Sequence, residues 1–150
     1  MKLYLVQHGL ALSEEIDPKK GLSQQGRLEA KRMAAFLSTK NVKVDVIWHS
    51  KKERSYQTAQ IFLENMPGAE ILSRDDLNPQ DAVENFPVQI QSLNKDLMIV
   101  GHLPFLQKLA SLLLLASADY GLFTFKNSGV VYMEYKNTWQ VLWIVTPDLI

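Results

Sequence analysis

Lys2-Leu3-Tyr4-Leu5-Val6-Gln7-His8-Gly9 decides how this chain is read. The stretch from Lys2 to Gln7 is short, apolar on both faces and ended by a histidine and a glycine, which is the pattern of a buried strand. A polar loop follows from Leu10 to Leu22, with Pro18 and Gly21. Ser23 then caps a helix whose Ala30, Met33, Ala34 and Leu37 recur at i, i+3, i+4 and i+7. Val44 to His49 is the second expected strand, and a helix from Lys51 onward carries Ala59, Phe62, Leu63 and Met66 until Pro67-Gly68 stops it. Glu70 to Ser73 is a further candidate for a short strand.

Between residues 74 and 95, Asn78-Pro79 marks a turn. Val83, Phe86, Ile90 and Leu93 keep helical phase there, and Pro87 is expected to break or kink that helix. Leu97 to Val100 is an apolar strand ending in Gly101-His102, followed by a helical stripe of Leu106, Leu109, Ala110 and Leu113. Val130 to Tyr135 and Trp139 to Val145, joined by Lys136-Asn137-Thr138, read as a hairpin. Strand–helix alternation followed by a hairpin implies an α/β protein: a three-layer α/β/α sandwich around a mostly parallel mixed sheet with a C-terminal antiparallel hairpin.

The composition bounds the rest. A chain of 150 residues is expected to form one domain, 1–150, with enough surface buried on folding to need no metal or disulfide staple. Sixteen Lys and Arg balance sixteen Asp and Glu, so no basic tract points to nucleic acid or an anionic membrane. The absence of cysteine removes disulfides, thiolate metal sites, iron–sulfur clusters and cysteine nucleophiles together. With no secretory signal pattern and no apolar run long enough for a membrane helix, a cytoplasmic location is expected.

Chemistry in such a fold is sought beyond the carboxyl ends of the strands. The three histidines, His8, His49 and His102, all stand at expected strand ends. His8 and His102 each adjoin a glycine, and parallel strands bring their carboxyl ends to one edge. No third ligand accompanies them at a recognisable metal-binding spacing. A second constellation, Ser50-Lys51-Lys52-Glu53-Arg54-Ser55-Tyr56-Gln57-Thr58-Ala59, spans a strand end and the first turns of a helix. Free N–H groups at a helix amino-terminus favour an anion, and Arg54 adds a planar donor suited to phosphate oxygens. Taken alone, that segment also fits a solvated basic turn.

In order along the chain, Gln7-His8-Gly9, Leu22-Ser23-Gln24-Gln25-Gly26-Arg27-Leu28-Glu29-Ala30, Ser50/Arg54/Gln57-Thr58-Ala59 and Gly101-His102-Leu103-Pro104 form four blocks. Together they resemble the histidine phosphatase superfamily, with its phosphoglycerate-mutase-like fold, and within it the small phosphohistidine phosphatases. The resemblance runs over residues 3 to 104. It implies phosphoryl transfer through a covalent phosphohistidine on His8, with Arg54 and His102 as electrostatic clamps. It also implies phosphate binding by Gln7, Gly9, Ser50, Arg54 and His102, and no cofactor or metal. The implied partners are a phosphorylated small molecule or a phosphohistidine-bearing protein, with no nucleic acid and no membrane.

Three positions depart from the family pattern. Gln7 replaces the arginine before the first histidine, Lys51 replaces the proline after the serine, and Leu10 stands where an acidic residue is frequent. A general acid is not assigned; Asp76, Asp81 and Glu84 are the candidates. Because Gln7 carries no charge, two readings stay open: a phosphatase, slowed by the missing cation, or a phospho-ligand binding module without turnover. His49, beside the motif serine, is expected to point with Ile47 toward a helix layer and to play a structural part.

Overall fold

The computed structural model describes residues 1–150. Six strands form one sheet in the order β3-β2-β4-β1-β5-β6. They are β1 (Lys2–Gln7), β2 (Val46–Ser50), β3 (Glu70–Arg74), β4 (Leu97–Gly101), β5 (Val130–Tyr135) and β6 (Trp139–Val145). β1, β2, β3 and β4 pair in parallel, and β5 and β6 add an antiparallel edge. The helices are α1 (Gln24–Thr39), α2 (Glu53–Leu63), α3 (Phe86–Leu93) and α4 (Phe105–Leu115).

Alternation along the strands divides the buried side chains between two cores. Leu3, Leu5, Val46, Trp48, Leu97 and Ile99 pack with Phe86 and Ile90 of α3 and with Phe105, Leu106 and Leu109 of α4. Tyr4, Val6, Ile47, Met98 and Val100 face the other way, onto Ala30, Met33 and Leu37 of α1 and Ala59 and Phe62 of α2. The three layers expected from the sequence are therefore present.

The connections locate the functional edge. From β1 the chain leaves over the α1 face toward β2, whereas from β4 it leaves over the α4 face toward β5. β1 and β4 are neighbours in the sheet, so their carboxyl ends bound the crevice where the topology reverses, the usual ligand position in such sheets.

The elements follow the expected pattern with small shifts. Ser23 caps α1, its hydroxyl accepting from the Gly26 N–H at 3.0 Å. β2 begins at Val46 rather than Val44 and includes Ser50, and α2 begins at Glu53 rather than Lys51. α2 ends at Leu63, before Pro67-Gly68, in a turn that still buries Met66. The one reversal concerns Pro87, which neither breaks nor kinks a helix. It lies in the first turn of α3, where a missing N–H costs nothing because that group has no intrahelical acceptor. Val83, in the turn before, remains buried and accepts from Phe86 N–H through its carbonyl. No helix is long and apolar enough to cross a membrane.

Candidate active site

Sheet register brings the two glycine-flanked histidines together. Val6 pairs with Val100 and Gln7 with Gly101, so His8 and His102 emerge side by side, their ring centroids 5.0 Å apart. The His8 backbone is secured from three directions. Its N–H donates to Gly101 O at 3.0 Å, Asn127 Nδ2 donates to its carbonyl at 2.8 Å, and the following Gly9 N–H donates to Thr58 Oγ1 at 2.9 Å. α1 presses against the same loop: a Cβ on Gly26 would lie 2.1 Å from Leu10 O, so only glycine fits there.

The His8 ring is held in one tautomer. Its Nδ1–H donates to Gly9 O at 2.8 Å, because a carbonyl can only accept. Arg54 Nε–H donates to His8 Nε2 at 3.2 Å, which requires a lone pair on that nitrogen. Burial lowers the His8 pKa to about 4; the Gly9 carbonyl opposes that shift, and the charges of Arg54 and Lys20 add to it. His8 is therefore neutral near pH 7, with Nε2 as its bare nitrogen.

His102, only 2% exposed, lies on the other side. Its Nε2 is 2.5 Å from Ser50 Oγ, and its Nδ1 is buried without a partner. Burial lowers its pKa to about 3, reinforced by His8, Arg54 and Lys52. Arg54, at the start of α2, is half-buried and lies against the histidine pair. Burial lowers its pKa from the ordinary value as well.

The remaining candidates occupy several places. Gly9 is buried beside the Thr58 hydroxyl. Gln7 borders an adjoining cavity of about 470 Å3 together with Glu29, Lys126, Asn127 and Asp148, a cavity that none of His8, Arg54 and His102 lines. Gln7 Oε1 is buried and unpaired. Lys51 pairs with Asp75 at 2.5 Å, whereas Lys20 and Lys52, whose charges act on the histidines, are absent from every ion pair in the chain.

The three acid candidates are not brought to the histidine pair. Asp76 accepts two hydrogen bonds from Arg74, at 2.8 and 2.6 Å, and these bonds first of all lower its pKa. Asp81 accepts from the Asn78 N–H at 2.7 Å, and Glu84 is exposed. His49 is 5% exposed, donates through Nδ1 to Ser50 O at 2.8 Å and packs on the Tyr56 ring of α2, on the helix-layer side expected for it. No cluster of three His, Asp or Glu side chains has the geometry to hold a metal ion.

Sequence reasoning missed the loop before β5. Asn127 supports the His8 carbonyl, and Ser128 N–H donates to Gln7 O at 2.9 Å. The segment has no periodicity, and its one legible signal is the Asn127-Ser128-Gly129 turn cluster. Gln57 is likewise a scaffold residue here, its Oε1 accepting from Leu22 N–H at 2.8 Å.

A neutral histidine, a second histidine and an arginine brought together at the carboxyl edge of a mostly parallel sheet define a class, and comparison with known proteins agrees. The model for the histidine phosphatase superfamily (branch 1) matches residues 3–85, and the chain belongs to that superfamily. Its structure is similar to that of the protein histidine phosphatase SixA complexed with tungstate, with a TM-score of 0.85 and 21% identity over 99% of both chains. It is also similar to the alpha-ribazole phosphatase from Shigella flexneri, with a TM-score of 0.73 and 19% identity over 95% of this chain and 96% of that one. Among curated sequences, human 6-phosphofructo-2-kinase/fructose-2,6-bisphosphatase 4 is 28% identical over 103 residues. That match covers 63% of this chain and only 22% of the human protein.

Proposed function

We propose that this chain is a phosphatase that hydrolyses a protein phosphohistidine or a small phosphomonoester through a covalent phosphohistidine on His8. The observation that carries the reading is the His8 ring itself, neutral and held by Gly9 O and Arg54 with its lone pair on Nε2. A neutral imidazole nitrogen is nucleophilic near pH 7 without further activation.

In the free protein Arg54 occupies that lone pair, so attack requires the guanidinium to move onto the phosphoryl oxygens. There it meets charge that grows at the equatorial positions, where preorganised donors act most strongly. His102 flanks the same group. His8 Nε2 bonds to phosphorus as the leaving group departs with its electron pair, and water then cleaves the phosphorus–nitrogen bond to release phosphate. An imidazole leaving group needs less protonation than an alkoxide, which suits a site with no carboxyl acid beside His8. In this reading the chemistry needs no metal, because Arg54, with Lys20 and Lys52 nearby, supplies the positive charge. The SixA likeness supports the protein phosphohistidine, and the Shigella flexneri enzyme the phosphomonoester.

A second reading rests on Gln7. Its side chain is uncharged and its Oε1 has no partner, so the site lacks one cation of the family clamp and binds a phospho-ligand without turnover. Steady-state hydrolysis of a phosphohistidine-carrying protein and of an aryl phosphate, each with the unaltered chain and with Gln7→Arg, separates the two. The phosphatase reading expects turnover by the unaltered chain; phosphate binding without turnover, gained only on Gln7→Arg, supports the binding module.

A further inference from the structure

Ser50 was grouped with the phosphate ligands by its motif, yet its hydroxyl lies against a histidine ring. The residue is fully buried, and its Oγ has two neighbours: His102 Nε2 at 2.5 Å and the Lys52 backbone N–H at 3.4 Å. The Lys52 N–H can only donate. The sole acceptor for the Ser50 hydroxyl proton is therefore His102 Nε2, and a buried hydroxyl with no acceptor is disfavoured.

The serine is itself anchored. Ser50 N–H donates to Ser55 Oγ at 3.2 Å, and Ser55 Oγ–H donates to Val100 O at 2.8 Å, tying the ends of β2 and β4 together one step below His102. A lone pair on His102 Nε2 puts the ring proton on Nδ1, the buried atom that has no partner within the chain.

We propose that Ser50 is a positioning residue that selects the tautomer of His102, holding an unpaired Nδ1–H ready for a phosphoryl oxygen. The inference rests on the phosphatase reading for its functional consequence. It explains how two adjacent histidines act differently. His8 offers a lone pair to phosphorus, whereas His102 offers a proton donor to oxygen. The opposite tautomer would aim a lone pair at the anionic oxygens and leave the Ser50 hydroxyl without an acceptor.

Imidazole nitrogen NMR on the uniformly 15N-labelled chain at pH 7 tests this directly. The expected result is a neutral His102 protonated on Nδ1 in the unaltered chain. In Ser50→Ala the proton should redistribute toward Nε2, and in Ser50→Thr, which keeps a hydroxyl, it should return to Nδ1. In kinetics with an aryl phosphate, Ser50→Ala should lower kcat by about tenfold or more, with Ser50→Thr retaining most of the rate. A His102 protonated on Nε2 in the unaltered chain, or a tautomer unchanged in folded Ser50→Ala, overturns the assignment. The NMR result does not depend on turnover. Absence of turnover by the unaltered chain would instead refute the phosphatase reading of the site and leave the tautomer result standing, whereas a His102→Ala variant with full activity would overturn the part given to the His102 Nδ1–H.

Discussion

His8 and His49 begin from the same local design. Each ends a buried parallel strand, and each turns its Nδ1–H onto the carbonyl of the next residue at 2.8 Å. Their difference is one of level. β1 is in register with β4 so that Gln7 faces Gly101, which puts His8 level with His102 above the sheet edge. β2 is set so that His49 itself faces Val100, one pleat repeat lower, or about 7 Å along the strand. At that depth the ring meets Tyr56 of α2 and contacts neither Arg54 nor His102. Local sequence makes a histidine whose Nδ1 meets the next carbonyl; register decides which one stands beside Arg54 and His102.

The largest expected effect is at His8. His8→Ala should abolish turnover of an aryl phosphate while leaving the fold intact, since the side chain contributes one ring at the edge; residual turnover above about one-thousandth of the original rate would break the comparison. Arg54→Ala should follow, with kcat reduced about 100- to 1000-fold by loss of a preorganised donor, measured in the same assay. Gln7→Arg should move the other way, raising the rate by about tenfold or more if the charge enters the clamp. His49→Gln, in contrast, should change the catalytic rate by no more than about threefold, a barrier change of about 0.65 kcal/mol. A hundredfold loss there in a folded protein would show that level in the sheet does not separate the two histidines.

How much of this was legible in the sequence follows the reach of each signal. The strand–helix alternation, the C-terminal hairpin and the Ser23 cap were readable because period, capping and turn chemistry are local. Pro87 misled because proline terminates or starts a helix according to position, and the pattern from Val83 placed it in the interior. Strand ends and motif order pointed to His8, Arg54 and His102, which the fold brings together. The Ser50–His102 contact, the diversion of Asp76 to Arg74 and the role of Asn127 depend on register and on a loop without periodicity, so nothing local in the sequence displays them.

A smaller, graded consequence concerns pH. His8 and His102 are held at about 4 and about 3, below the ordinary 6.5 that the unfolded chain would show. Between those values the unfolded state binds more protons than the folded one, so stability rises with pH there and is lost as pH falls from about 6.5 through about 4. The urea midpoint should decline across that window, and His102→Gln should flatten the decline. An equal slope in the variant would show that the pair is not buried as described.

The most direct test of the central claim is to mix the protein with a 32P-labelled phosphoryl donor, quench within the first turnover under alkaline conditions that preserve phosphohistidine, and map the label by peptide mass spectrometry. The account predicts acid-labile phosphate on His8 alone, lost in His8→Ala and formed normally in His49→Gln. Label on His49 or on any other residue, or turnover by His8→Ala at an undiminished rate, would contradict it.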